Sequence, residues 1–176
     1  MTILVLDIKL PPHMGIYRNV TPEHFITGYF QDILLYMIVF IALGYLWYTH
    51  HSQSHFIQHT DRNHLWISLV TLMFVALVPF SSSLVNRFTN DTLAELFLSS
   101  NMFVIGVLNY LNWAYATKNN RLMIETVSDK YIVEEKKRLL IFPAVSLLAM
   151  AAAFVWPAFS PYAFFLAPVI MLLKKR

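Results

Sequence analysis

The 176 residues are 57% hydrophobic, 15% aromatic and only 13% charged, with no cysteine. An ordinary soluble domain carries about 25% charged residues, so this balance excludes a soluble globule and indicates an all-α integral membrane protein. The lack of cysteine excludes a disulfide framework and thiolate chemistry, and the net charge of +3 is placed along the chain in a way that excludes a nucleic-acid patch.

The chain opens on MTILVLDIKLPP, an apolar run closed by Pro11 and Pro12. No basic region precedes the run and no small-residue cleavage site follows it, which argues against a secretory signal. A bilayer span takes about 20 residues of helix. Five segments are candidates: Phe30–Thr49, Leu65–Leu84, Leu93–Ala116, Leu139–Trp156 and Pro161–Leu173. Pro79 deletes one backbone hydrogen bond from the second and predicts a kink or an end there. The fifth is short and interrupted by Pro168. Polar stretches separate the spans: HHSQSHFIQHTDRNH, then NRFTNDT, then the basic linker KNNRLMIETVSDKYIVEEKKR, and last the tight turn WPAFSP.

The basic residues set the orientation. Lys118, Arg121, Lys130, Lys136, Lys137 and Arg138 lie in the 118–138 loop. Lys174, Lys175 and Arg176 form the tail, and Arg62 belongs to the 50–64 loop. With five alternating spans these regions share one face, and the positive-inside rule makes it cytoplasmic. The opposite face holds Arg18 and Arg87, with Lys9 at its edge. The charges thus read as topology signals and headgroup contacts. With the C-terminus inside, the run Met1–Leu10 approaches the outer face from within the membrane. Such a run covers roughly 15 Å, about half the hydrocarbon core, and reads as the outer half of a sixth helix. A helix starting in mid-bilayer leaves its first N–H groups without partners. The natural protein is therefore expected to start upstream of Met1.

The first candidate for chemistry is W-x-x-H-H, at Trp47, His50 and His51, continued at four-residue spacing by His55 and His59. On a helix His51, His55 and His59 share one face, a geometry that suits a metal. No carboxylate completes the set except Asp61, so a structural role is preferred. His50 and His51 then cap or bond a neighbouring helix, Trp47 anchors at the headgroup level, and no metal is assigned. In PFSSSL, from Pro79 to Leu84, three hydroxyls either line a wet vestibule or bond back to the preceding turn, and the second is preferred. Asp7 and Asp32 are intramembrane carboxylates, functional candidates by default, but both lie near the outer boundary, where water or Lys9 satisfies them. Both readings stay open. There is no TVGYG, and the only glycines are Gly15, Gly28, Gly44 and Gly106, which argues against a carbonyl-lined filter. No Walker A, H-E-x-x-H or nucleophile elbow is present, so neither an enzyme nor a cofactor is predicted.

Several motifs follow one another in order. They are TILVLDIKLP at Thr2–Pro11, W-x-x-H-H at Trp47–His51, D-x-x-x-L at Asp61–Leu65, and P-F-S-x-x-L at Pro79–Leu84. Then come the basic linker at Lys118–Lys137, R-L-x-x-x-P at Arg138–Pro143, and a Pro-bounded hairpin at Trp156–Pro168. Their order and spacing, over essentially the whole chain, resemble the transmembrane protein 175 family in its bacterial single-repeat form. The resemblance implies a potassium-selective channel in a prokaryotic plasma membrane. Its subunit has six helices, it assembles as a homotetramer in the lipid bilayer, and the first helix lines the pore. The family's hallmark R-x-x-x-F-S-D belongs to the inner half of that helix, before the segment with which this sequence begins. Ser68 stands where an asparagine is expected.

Carried over by position, Thr2 matches the family's pore-facing threonine and Leu6 the aliphatic position one turn outward. Their i, i+4 spacing lets both face one axis. Four copies make a hydroxyl ring and a hydrophobic ring, and a narrow apolar ring gates by dewetting. Trp47, His50, His51 and Ser68 form a structural polar network beside the pore helix, with His50 and His51 lacking the hallmark arginine and aspartate. Two alternatives remain. One is a non-conducting structural or assembly protein, hinted at by small-xxx-small packing at Ala149–Ala153. The other is a metal-handling transporter that uses the His50–His59 row.

Overall fold

The computed structural model describes residues 30–88, 90–124 and 127–174. Thr2, Leu6 and Asp7 lie outside the described residues. Helices α1 (Phe30–Ser54), α2 (Arg62–Ala76), α3 (Val78–Arg87) and α4 (Thr92–Thr117) come first. Helices α5 (Asp129–Leu139) and α6 (Ile141–Val155), a 3-10 stretch (Pro157–Phe165) and α7 (Leu166–Lys174) complete the chain. The described residues include four apolar segments long enough to cross a bilayer: Ile33–Ser54, Arg62–Arg87, Thr92–Thr117 and Asp129–Val155. Among them is no β-strand, only the isolated bridge between Ile57 and Met123. The chain is an all-α, multi-pass membrane protein.

Local chemistry sets the helix ends. Asp61 caps α2 by accepting from the His64 N–H at 2.9 Å. Asp91 caps α4 by accepting from the N–H groups of Leu93 and Ala94 at 2.8 and 3.1 Å. The break between α2 and α3 falls at Leu77, just before Pro79, which then sits in the first turn of α3, where its missing N–H costs nothing. The hydroxyls of Ser81 and Ser82 donate to the carbonyls of Leu77 and Pro79 at 3.0 and 2.9 Å. For these two serines the back-bonding reading of PFSSSL holds. Pro143 does the same work in the first turn of α6, after a break at Leu140.

Two stretches differ from the sequence-based reading. The basic 118–138 linker is not a loop throughout, because α5 begins at Asp129. Ser128 caps that helix, Asp129 suits its N-terminal dipole and Lys136, Lys137 and Arg138 its C-terminal one. One face of α5 is buried, through Ile132, Glu135 and Leu139. The Pro161–Leu173 segment is likewise not one α-helix: the chain runs as 3-10 through Pro161 and turns α-helical only at Leu166.

Helix α4 packs against α2, α3 and α6. Its residues Leu98, Met102 and Ile105 meet Ile38, Val39 and Ala42 of α1, Val78 of α3 and Phe142 and Ala149 of α6 in one core. The ring of Phe142 lies between Tyr45, at 5.7 Å, and Phe164, at 5.9 Å. Gly106 lets α4 and α6 touch, since a Cβ there would stand 3.0 Å from Phe142 Cδ1 and from Pro143 Cδ and Cγ. Ala149 and Ala153 are fully buried, and the Ser160 hydroxyl donates to the Ala149 carbonyl at 2.9 Å. The small face of α6 is thus covered by the chain's own 3-10 stretch, which removes the hint of a partner groove there. On α2, by contrast, Leu65, Trp66, Leu69, Leu72 and Met73 are exposed, a surface that suits acyl chains.

A second apolar cluster, Trp113, Met123, Ile132 and Leu139, closes one end of the bundle. There the Gln58 N–H donates to the Leu122 carbonyl at 2.8 Å and the Ile124 N–H to the Phe56 carbonyl at 3.1 Å. The α1–α2 and α4–α5 connections therefore meet at the same end.

Candidate functional site

Three asparagines interrupt the apolar run of α4, and Asn101, Asn109 and Asn112 are all buried. An amide removed from water needs a partner. Each donates to a hydroxyl on a different helix: Asn101 Nδ2 to Ser81 Oγ of α3 at 3.0 Å, Asn109 Nδ2 to Thr49 Oγ1 of α1 at 3.4 Å, and Asn112 Nδ2 to Ser68 Oγ of α2 at 3.2 Å. One helix is tied to three neighbours. Farther along the same helix, Glu95 and Ser99 are buried one turn apart. Glu95 Oε2 and Ser99 Oγ have no hydrogen-bond partner among the described residues.

Between α1, α2 and α4 lies a cavity of about 440 Å³, lined by apolar side chains such as Leu43, Leu72 and Ile105, with the polar tips of His50, Ser68, Asn109 and Asn112. A smaller one of about 200 Å³ lies nearer the α1–α2 connection and is lined by Gln53, His64 and Trp113 among others. His50, Ser68 and Asn112 border both cavities and form the polar partition between them. Neither ring nitrogen of His64 has a partner among the described residues.

The site residues expected from the sequence separate into two groups. His50 and Ser68 line the cavities from facing helices, and Ser68 accepts from Asn112. Trp47 is 60% exposed and stacks flat on His51, with ring centroids 5.1 Å apart and planes 5° apart. Trp47 also borders the larger cavity. The histidine row is shorter than its periodicity suggests. Helix α1 ends at Ser54, whose hydroxyl donates to the His51 carbonyl, and the chain then turns to bring Ile57 against Met123. His59 consequently lies in the connection, not on the helix, and only His51 and His55 remain paired. Asn101, Asn109, Asn112 and Glu95 were not singled out from the sequence. Their signal was a recurring polar residue inside an otherwise apolar helix.

At the mouth of this region Tyr115 is a hub. Its hydroxyl donates to Asp61 Oδ2 at 2.6 Å and accepts from Arg121 Nη1 at 2.8 Å and Asn63 Nδ2 at 3.2 Å. The Arg121 guanidinium also sits over the Tyr115 ring, 5.1 Å from its centroid. The Tyr115 hydrogen bond, followed by that from the His64 N–H, holds the Asp61 carboxyl below its usual 3.8. A carboxyl lowered in the native state contributes stability above its unfolded pKa, and that stability is lost as pH falls through the lowered native value. In Tyr115→Phe the Asp61 titration, followed by NMR of the carboxyl, is expected to move up toward 3.8, and stability below about pH 4 to become less pH-dependent. An unmoved Asp61 titration would show that the hydroxyl does not hold it.

Comparison with known proteins follows from the same residues. Residues 1–79 match the family described as endosomal/lysosomal potassium channel TMEM175. The matched part contains Trp47, His50, His51 and Ser68 and ends at Pro79. A stretch of 98 residues is 27% identical to a protein of Streptomyces collinus (strain DSM 40733 / Tue 365) named potassium channel B446_29190. That stretch is 54% of this chain and 45% of the relative, so the match spans about half the length of either protein.

Proposed function

We propose that the chain is the subunit of a potassium channel, a homotetramer that conducts K⁺ passively across a prokaryotic plasma membrane, with its basic connections and C-terminus on the cytoplasmic side. The observation that carries this reading is the family match over residues 1–79, which takes in the Thr2–Pro11 motif as well as α1 and α2. The potassium-channel name of the Streptomyces relative supports it. In this reading Thr2 and Leu6 face the ion path. The Leu6 ring is the constriction that gates by dewetting, and the Thr2 hydroxyls replace part of the ion's water shell. The asparagine bonds of α4 hold α1, α2 and α3 at fixed spacing as the frame around that path, with Trp47, His50, His51 and Ser68 as polar support.

Liposomes holding a K⁺ gradient and the purified protein test it. K⁺ flux is expected to exceed that of protein-free liposomes and to be abolished in Leu6→Trp, with cross-linking showing a tetramer in both. A tetramer without flux, or flux indifferent to Leu6→Trp, would overturn the proposal.

A further inference from the structure

The histidine pair at the end of α1 stands apart from the asparagine network and the cavities. We propose that His51 and His55 form a two-donor site for a borderline divalent transition-metal ion of the Zn²⁺ or Cu²⁺ class. The two Nε2 atoms are 3.3 Å apart. A tetrahedral ion with metal–nitrogen bonds of about 2.0–2.1 Å spans two donors at about 3.3–3.4 Å. The two Nε2 atoms therefore stand at the separation such an ion requires. The i, i+4 spacing matches that by which H-E-x-x-H motifs present two imidazoles to zinc, with His51 in the last turn of α1 and His55 in the turn that follows it.

The surroundings favour the ion's entry and the pair's rigidity. Both histidines are exposed, so an ion reaches them directly and water fills the remaining positions. Trp47 lies flat against His51 at 5.1 Å, which limits rotation of that ring, and His55 meets His51 edge-on at 4.8 Å. Without metal the two Nε2 atoms share a hydrogen bond, and when the ion binds the donor ring carries its proton on Nδ1 instead, so that both Nε2 lone pairs are free for the metal. Among the described residues no group of three or more His, Cys, Asp and Glu converges, so the site has two protein donors. Two neutral imidazoles select Cu²⁺ and Zn²⁺ over Mg²⁺ and Ca²⁺, which prefer oxygen. The inference does not depend on the channel reading.

The test uses the full chain without a histidine tag. Zn²⁺ titration by calorimetry is expected to show one saturable ion per chain, and Cu²⁺ electron paramagnetic resonance the splitting of two imidazole nitrogens. His51→Gln or His55→Gln is expected to weaken Zn²⁺ binding by about tenfold or more, at the low end of what lost outer-sphere contacts alone cost in metal sites. His59→Gln should leave it unchanged. No saturable binding, binding that persists in the His51→Gln/His55→Gln double variant, or an equal loss in His59→Gln would each overturn the assignment.

Discussion

Trp113→Ala is expected to destabilise the protein by about 3–5 kcal/mol, the usual cost of emptying a buried aromatic site. Trp113 is only 1% exposed and is the largest member of the cluster it shares with Met123, Ile132 and Leu139. Its indole Nε1 has no hydrogen-bond partner among the described residues, so the loss is one of packing. It also borders the smaller cavity of about 200 Å³, which the substitution enlarges, leaving the walls with no atoms to touch. Helix α5 depends on this cluster through Ile132 and Leu139, so amide exchange in α5 should rise before that of α4. Reversible denaturation in detergent measures the total, and Trp113→Phe should lose much less. A loss below about 1 kcal/mol for the alanine variant would mean that the cluster contributes little.

Gly106→Leu is expected to cost about 1–3 kcal/mol or more, by the opposite route of overfilling. The first added carbon already meets Phe142 and Pro143 at 3.0 Å. The proline ring is closed on its own backbone and cannot swing aside. Phe142 is fully buried and held between Tyr45 and Phe164. Helices α4 and α6 must therefore part, and Gly106→Ala should show the same effect at smaller size. Gly44 provides the control, because nothing lies within 4 Å of a Cβ built there. Gly44→Ala should be neutral or stabilising by up to about 1 kcal/mol, the helix-propensity difference. Thermal midpoints of the variants side by side decide it, and equal midpoints for Gly106→Leu and the parent would refute the close contact.

The class of this protein was legible because it is a property of composition: few charges and long apolar runs leave only helices in a membrane. The likeness of residues 1–79 to the TMEM175 family was legible from motif order. The break before Pro79 was legible because a missing N–H is a covalent fact about one residue. The asparagine bonds were not. Their partner hydroxyls lie 20, 60 and 44 residues away in sequence, and no local pattern couples Asn101 to Ser81, Asn109 to Thr49 or Asn112 to Ser68. Helix α5 escaped for another reason. Its surface is so polar that it reads as a linker, and only Ile132, Glu135 and Leu139 betray a buried face. The histidine row was overextended, since periodicity carried the helix past Ser54 into a turn held by pairing across to Met123.

The asparagine bonds also bear on the order in which the chain can be built. Thr49, Ser68 and Ser81 leave the ribosome before α4 does, and Thr49 and Ser81 donate to carbonyls one turn earlier in the chain, those of Leu46 and Leu77. Those helices can thus enter lipid with these two hydroxyls already satisfied. The asparagines have no such shelter in their own helix. Insertion of α4 is therefore expected to be completed only when the earlier helices already stand waiting for it.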